Sequence, residues 1–428
     1  MEQAFRLPVE SAMANKTLHT VVIGGGVIGG FSAWYLRQTG RDVTLIDKGR
    51  FGKACSHGNC GYVSPSHVIP LARPGQIGKG IMGMLSRQTA LRIEPKKILS
   101  LWPWLLKFAG RCNESSMMQA GLACHPLLQS SAALYRELIE THNMQVEWHT
   151  DGLLFVYRDQ HEFDAYAKTD EWLRKHFQMS AEPLAGAALT SLEPALKPGL
   201  AGAWLYRCDA HLRPDKLMQE LRRLLDESGV RVIENCEMQG LKSSGNQATA
   251  VETSHAELEA DEVLVATGSW TPLLKESLGV KLPIQPGKGY SITMARPKIC
   301  PKYPMILEEC HVAITPFDNG YRVGSTMEFA GYDTTLNQQR LNYLRSGAAE
   351  YLIEPTADPV EEEWYGWRPM TTDGIPFIDR SPRFKNVWVA AGHSMLGISM
   401  GTGTGKLVAE MISGQKPHVD LNAYRIQR

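Results

Sequence analysis

Four predominantly apolar runs set the frame of this chain: Val21-Val22-Ile23, Val43-Thr44-Leu45-Ile46, Val263-Leu264-Val265-Ala266 and Val387-Trp388-Val389-Ala390-Ala391. Short runs of this kind, bounded by turn residues, predict strands buried on both faces. The first run opens directly into Gly24-Gly25-Gly26-Val27-Ile28-Gly29 and then into a helical pattern. Helix-spaced apolar positions at Leu127, Leu128, Ala132, Leu134, Leu138 and Ile139 predict a helix, and Gly152 to Tyr157 predicts a strand. A helix from Asp215 to Ser228, a strand from Val230 to Glu234 and polar turns follow. Val312 to Pro316 and Tyr321 to Gly324 flank Asp318-Asn319-Gly320, which predicts an antiparallel hairpin. The chain closes with the strand at Val387, a loop from Gly392 to Gly401, and a helix from Thr402 to about Ser413.

Helices and strands therefore mix in a way that departs from simple βαβ repetition. The pattern predicts an α/β fold in which a Rossmann-like dinucleotide-binding domain (17–90, 200–283 and 364–428) is interleaved with an α+β, antiparallel-sheet substrate domain (91–199 and 284–363). The irregular stretch from Asp47 to about Leu71 is too long for a simple connection and is expected to serve a site.

The GxGxxG turn carries the first chemistry. Gly24 permits the tight turn, Gly26 lets the backbone approach a pyrophosphate, and Gly29 lets the helix pack on the sheet, while amides at the helix N-terminus face the phosphates. Asp47, eighteen residues past Gly29, ends the second strand, where an acid accepts hydrogen bonds from ribose hydroxyls and disfavours a 2′-phosphate. No second such motif exists, so one dinucleotide is expected.

Composition narrows the partners. Lys plus Arg and Asp plus Glu are equal at 45 each, which gives no reason to expect nucleic acid. The eight cysteines (55, 60, 112, 124, 208, 236, 300, 310) lack zinc-site spacing, so no metal is expected, and they fit a reducing compartment. Residues 1–16, interrupted by Glu2, Glu10 and Lys16, do not form a signal peptide and are expected to be a mobile lead-in to a cytoplasmic protein. The apolar patch from Ile98 to Ala109, with Trp102, Pro103 and Trp104, is too short to span a bilayer and is expected to pack internally. A peripheral contact with the inner face of the cell membrane is the alternative reading, because Lys96, Lys97, Lys107 and Arg111 flank it.

Two further segments suggest a site. Gly392-His393-Ser394-Met395-Leu396-Gly397 leads into Gly401-Thr402-Gly403-Thr404-Gly405, where amides at a helix N-terminus suit an anion. Arg368, within Trp364-Tyr365-Gly366-Trp367-Arg368-Pro369-Met370-Thr371-Thr372-Asp373-Gly374, suits a bidentate carboxylate contact. The competing reading pairs Arg368 with one of Glu361 to Glu363.

With these motifs together, the chain resembles FAD-dependent amino acid oxidases and dehydrogenases of the D-amino acid oxidase and glycine oxidase type. The resemblance runs almost end to end, through Gly24, Ala266-Thr267-Gly268, the segment at Arg368, Gly392-His393 and the final Tyr424-Arg425-Ile426-Gln427-Arg428. Cys55-Ser56-His57-Gly58-Asn59-Cys60-Gly61-Tyr62-Val63-Ser64-Pro65 is similar to the S-x-x-N-A-G-x-x-S-P loop of bacterial D-amino acid dehydrogenases, as are Lys288-Gly289-Tyr290-Ser291 and Arg322-Val323-Gly324. His57 departs from the usual aromatic and Cys60 from the usual Ala.

The resemblance implies noncovalent FAD, since Gly366 stands about where covalent relatives carry cysteine. It places FAD against Gly24, Gly26, Val27, Ile28, Gly29, Asp47, Lys48, Ser56, Asn59, Cys60, Gly61, Ala266, Thr267, Gly268, Gly392, His393, Leu396, Gly397, Met400, Gly401 and Thr402, with Arg368, His393 and Tyr290 as the catalytic candidates. It further implies oxidative deamination of a small amino acid, a D-amino acid favoured, by hydride transfer from Cα to flavin N5. The products would be a 2-oxo acid and ammonia, with a quinone or redox protein taking the electrons. Met395 stands where glycine oxidases carry an arginine, which argues against that branch. The alternatives are an oxidase of a glycine, sarcosine, proline or hydroxyproline type, and a non-catalytic FAD-binding subunit of a complex.

Overall fold

Strands that are apolar on both faces must be covered on both sides, and the chain meets this demand with a six-stranded sheet covered by helices on one face and by a small antiparallel sheet, with Leu278, Leu282 and Ile284, on the other. The computed structural model describes residues 17–78 and 90–428. The expected lead-in, 1–16, and residues 79–89 of the first expected segment lie outside them. The six strands run in the order Phe377–Arg380, Val387–Ala391, Glu262–Val265, His19–Ile23, Asp42–Ile46, Arg231–Ile233. All neighbours are parallel except Phe377–Arg380, an antiparallel edge. Val21, Val22, Val263 and Leu264 at its centre are fully buried.

Two glycine-bearing helices pack beside this sheet. A Cβ at Gly405 of the helix Gly401–Ile412 would stand 2.7 Å from the Phe31 backbone, so this helix and Val27–Gln38 touch at backbone distance. The long helix Glu114–Thr141 completes the layer, capped by the Asn113 side-chain Oδ1, which accepts from the Ser116 amide at 2.9 Å. Its Tyr135 hydroxyl donates to the Ile398 carbonyl at 2.8 Å.

The second sheet has ten strands. Its path is Leu91–Ile93, Met327–Phe329, Gln285–Met294, Gly320–Gly324, Val312–Phe317, Met305–Leu307, Leu153–Tyr157, Gly202–Tyr206 and Glu182–Leu184, with Val360–Met370 paired along Gln285–Met294. It is antiparallel apart from two parallel pairs, Met305–Leu307 with Leu153–Tyr157 and Met327–Phe329 with Leu91–Ile93. The expected hairpin at Asp318 is present, with Thr315 opposite Arg322. Gly202–Tyr206 and Val360–Met370, near the edges of the expected segments, both pair within this second sheet. The polar stretch after Ile233, expected as turns, instead folds as a three-stranded antiparallel sheet over 238–259. Met238–Ser244 and Glu257–Glu259 are largely polar and exposed, and the buried positions of Gln247–Thr253 are only Ala248, Ala250 and Val251, too slight an apolar signal to mark strands.

The loop after Asp47 ties the two sheets together. Tyr62–Val63 pairs with Ala210–His211, and Asp209 accepts from the Ser66 amide at 3.0 Å and its hydroxyl at 2.5 Å. The deeply buried Arg322 of the second sheet donates to the carbonyls of His57 at 3.1 Å and Asn59 at 2.7 Å.

The backbone contact at Phe31 makes a stability prediction. Gly405→Ala should destabilise by about 1–3 kcal/mol, because the helices must separate. Gly110→Ala, on a helix with open space at its Cβ, should be neutral or stabilising by about 0.5–1 kcal/mol. Chemical denaturation of both variants checks the pair, and equal midpoints would mean that the helix contact is slack.

Candidate functional site

The turn after the first strand is fixed by sterics. Gly24 has φ +113°, where its Cβ would lie 2.5 Å from the Ala266 carbonyl oxygen. At Gly29 a Cβ would lie 1.8 Å from the Gly24 carbonyl oxygen. Gly26 is different: its Cβ position meets nothing nearer than Ser56 Oγ at 3.6 Å, so the space above this turn is open. The Val27 amide donates to Ser56 Oγ at 3.0 Å, which brings the loop residue onto the helix start, and Ile28 is half-buried on the same turn.

Asp47 accepts from the Gly25 amide at 2.6 Å and the Gly49 amide at 2.7 Å, one donor per carboxylate oxygen. Each oxygen keeps acceptor capacity for a further donor. Lys48 places its ammonium 4.2 Å from the Trp270 ring, and burial lowers its pKa. Trp270 belongs to the turn of 3₁₀ helix Gly268–Leu274 that follows Ala266 and Thr267. Gly268 has φ +56° and open space at its Cβ position, and Thr267 and Thr271 share a hydroxyl hydrogen bond of 3.0 Å.

The loop from Ser56 to Gly61 reaches back from the opposite side. Asn59 Oδ1 accepts from the Gly61 amide at 2.8 Å, and the Cys60 carbonyl accepts from Thr315 Oγ1 at 2.7 Å. Gly61, with φ +81°, lies so close to the Leu212 carbonyl oxygen that a Cβ would stand 2.0 Å from it.

The C-terminal loop completes this set. Gly392 has φ +84°, and a Cβ there would meet Thr371 at 2.6 Å. The amides of Leu396 and Met400 donate to the carbonyls of His393 and Leu396, at 2.8 and 2.9 Å, and wind the loop into the helix. Gly397 has nothing within 4 Å of its Cβ position. A Cβ at Gly401 would lie 3.0 Å from Val27 Cγ2, so the two helix starts converge. The side chains of the other two candidates turn elsewhere. The Thr402 hydroxyl donates to the Ser131 carbonyl at 2.8 Å, and His393 Nε2 meets Thr404 Oγ1 at 3.0 Å. Burial lowers the His393 pKa to about 3, so the ring is neutral.

Arg368 sits on the second sheet, on Val360–Met370. Registers of Gly287 with Arg368 and Gly289 with Gly366 put these four residues on one face, and the guanidinium lies over Gly289, where a Cβ would fall 2.5 Å from Nη1. Nη1 donates to the Thr326 carbonyl at 2.8 Å. The competing reading of this arginine fails: Glu361 pairs with Arg213 at 3.6 Å, Glu362 with His57 at 2.9 Å and Glu363 with Arg345 at 2.6 Å. Among the described residues no carboxylate pairs with Arg368. Desolvation lowers its pKa, and the neighbouring thiols do not neutralise it, since burial pushes Cys55 up to about 11 and raises Cys60 as well.

Tyr290 is not brought to Arg368. Its register with Tyr365 alternates with the Gly289–Gly366 pair, so it points to the opposite face, where its hydroxyl donates to Glu328 Oε2 at 2.7 Å. Three contributors were not among the site candidates, although Gly289 and Arg322 lie in segments that carry the resemblance: Thr326, whose carbonyl orients Arg368; Gly289, whose missing side chain makes room for it; and Arg322, which holds the loop. The buried hydroxyls of Ser291 and Thr326 have no partner among the described residues. Ser291 shares the strand face of Gly289.

Open Cβ positions at Gly26, Gly268 and Gly397, two converging helix starts and an acid with spare acceptor capacity fit an extended dinucleotide. The comparisons with known proteins agree. The family described as FAD dependent oxidoreductase matches residues 19–411. D-amino acid dehydrogenase of Granulibacter bethesdensis is 32% identical over 413 residues, 94% of this chain and 97% of that one. D-amino acid dehydrogenase of Bradyrhizobium diazoefficiens is 32% identical over 96% of this chain and 99% of its own. Among solved structures, glycine oxidase from Bacillus cereus superposes with a TM-score of 0.76 at 20% identity, covering 96% of this chain and 99% of that one, a likeness of fold. The match across both sheets and both helix starts, with relatives alike over nearly their whole length, leads to one conclusion: this chain belongs to the family of FAD dependent oxidoreductases.

Proposed function

We propose that this chain oxidises a small amino acid, a D-amino acid favoured, to a 2-oxo acid and ammonia, and passes the electrons to a quinone or redox protein. The observation that carries the reading is Arg368, a desolvated guanidinium with no carboxylate partner among the described residues, tethered at one nitrogen to the Thr326 carbonyl. Nη2 and Nε remain to grip a substrate carboxylate at two points, a geometry that suits arginine and not lysine. Gly289 leaves the berth that the guanidinium fills, so Arg368 lies flat along the strand, while Met370 and Met327 close over Gly287 beside it. The D-amino acid preference rests on the two similar dehydrogenases.

When bound, FAD supplies the two-electron acceptor for the substrate's Cα hydride. The residues named above for its cradle hold it noncovalently in this reading. Arg368 binds the carboxylate and fixes where the Cα hydrogen points, and a displacement of about 1 Å costs roughly a hundredfold in rate. The substrate amine must be neutral, and desolvation in a closed recess lowers its pKa without a side-chain base. His393 and Tyr290 are not called upon: the first is bound to Thr404 and the second lies beneath the sheet. Water then hydrolyses the imino acid product.

The purified chain should be yellow and release FAD into the supernatant on acid precipitation. Colour held in the pellet would overturn noncovalent binding. Anaerobic mixing with D-amino acids should bleach the flavin spectrum faster than mixing with L-amino acids. A reversed preference would reassign the substrate, and no bleaching by either would leave a non-catalytic subunit.

Arg368→Lys should keep FAD content and lose at least about tenfold in kcat/KM, because the charge stays and the two-point grip goes. Stopped-flow reduction of Arg368→Lys and Arg368→Ala at wild-type rates would make this arginine structural. The acceptor is tested by comparing dye reduction with peroxide formation, and rapid stoichiometric peroxide would make the protein an oxidase.

A further inference from the structure

The helix Ile98–Arg111 carries apolar residues on two opposite faces. Its inner side chains Leu101 and Trp104, each 5% exposed, pack with Ile93, Met327, Phe329 and Met370, and Trp104 Nε1 donates to the Pro283 carbonyl at 3.1 Å. This half answers the expectation of internal packing. The outer half does not: Leu99 is 91% exposed, Trp102 55% and Leu106 56%. At 3.6 residues per turn these three fall within about 60° of one another, a single stripe along the helix. Scattered exposed apolar residues are ordinary, but a contiguous stripe of large ones marks a contact surface.

Charge identifies what the stripe fits. From Pro95 to Asn113 the chain has no acidic residue and four basic ones, Lys96, Lys97, Lys107 and Arg111. Among the described residues none of the four forms an ion pair with a carboxylate. Lys107 flanks one side of the stripe, Lys96 and Lys97 precede its start, and Arg111 lies further round, about 120° from Leu99. Among the described residues no helix is long and apolar enough to cross a membrane, so a contact here lies along a surface.

We infer that this helix docks on an anionic phospholipid surface, with Leu99, Trp102 and Leu106 at the acyl boundary and Lys96, Lys97 and Lys107 against headgroup phosphates. An exposed tryptophan suits that boundary, since its ring is apolar and its N–H polar. The inner face then sets the docked surface one helix thickness from Met327, the residue after Thr326, whose carbonyl holds Arg368. The inference stands on the helix alone and does not require the substrate reading.

The test is flotation of the flavin-loaded protein with vesicles of phosphatidylcholine alone or with about one third phosphatidylglycerol, enough to give an anionic surface. Wild type should float with the anionic vesicles, and high salt should weaken it. Lys96→Glu with Lys97→Glu should weaken binding at least about 25-fold, at about fivefold per lost contact. The triple variant Leu99→Ser, Trp102→Ser, Leu106→Ser should stay with the soluble fraction while keeping its flavin spectrum and thermal midpoint. Wild type left unbound by both vesicle types overturns the inference, as does either variant floating as wild type does. A concentration-dependent dimer in sedimentation velocity that the triple variant abolishes, without vesicle binding by wild type, would assign the stripe to a second copy.

Discussion

A desolvated guanidinium without a counter-charge is costly, and the second sheet is arranged around that constraint at Arg368. Removing a charge from water is unfavourable unless something replaces its solvation. Here one carbonyl, from Thr326, replaces part of it, and every nearby glutamate is engaged elsewhere. The strand pair that carries Arg368 holds one register from Gln285 to Thr293 and slips only at Met294, and the missing side chain of Gly289 leaves the berth that the guanidinium fills. An arginine so placed has a standing preference for an anionic ligand. Structure and function thus share one source: the unsatisfied charge lowers stability and creates binding.

The opposite face of that strand pair is crowded and satisfied. Tyr290 meets Glu328, Lys288 meets Asp333 at 2.7 Å, and Glu328 also lies 3.5 Å from Arg92. One face is packed with paired polar groups, while the other offers, among the described residues, a cation without a carboxylate partner and the unpartnered hydroxyl of Ser291. The packing below fixes the strand whose preceding carbonyl orients Arg368. Residues that resemble catalytic groups by type therefore act here as foundation.

The loop from Phe51 to Leu71 makes one site out of two sheets. Its first part caps the helix start at Val27 through Ser56, and its middle is held by Arg322 from the second sheet. Gly58 lies beneath Trp364, where a Cβ would stand 2.1 Å from the ring, so the loop is also seated against the strand of Arg368. His57 reaches Glu362 on that same strand. A change in this loop therefore acts on both ends of the site at once.

The cofactor half was legible in the sequence because its requirements are local. A strand, a turn that only glycine tolerates at Gly24 and Gly29, a helix start and an acid at Asp47 are consecutive features, and short-range sterics dictate each. Arg368 was legible as a candidate through its aromatic and proline neighbours. Its partner, its berth and its isolation from Glu361, Glu362 and Glu363 were decided only by pairing between strands some eighty residues apart. Gln285–Met294 is buried on both faces, so its sequence shows no alternation to tell which side chain looks where. A shift of one residue in that register would carry Tyr290 to the face of Arg368 and hide Gly289. The same holds for Ile98–Arg111, where composition marked an apolar patch but only packing separated the buried Trp104 from the exposed Trp102. Local sterics are written in consecutive residues, while register and burial are settled by contacts between distant ones.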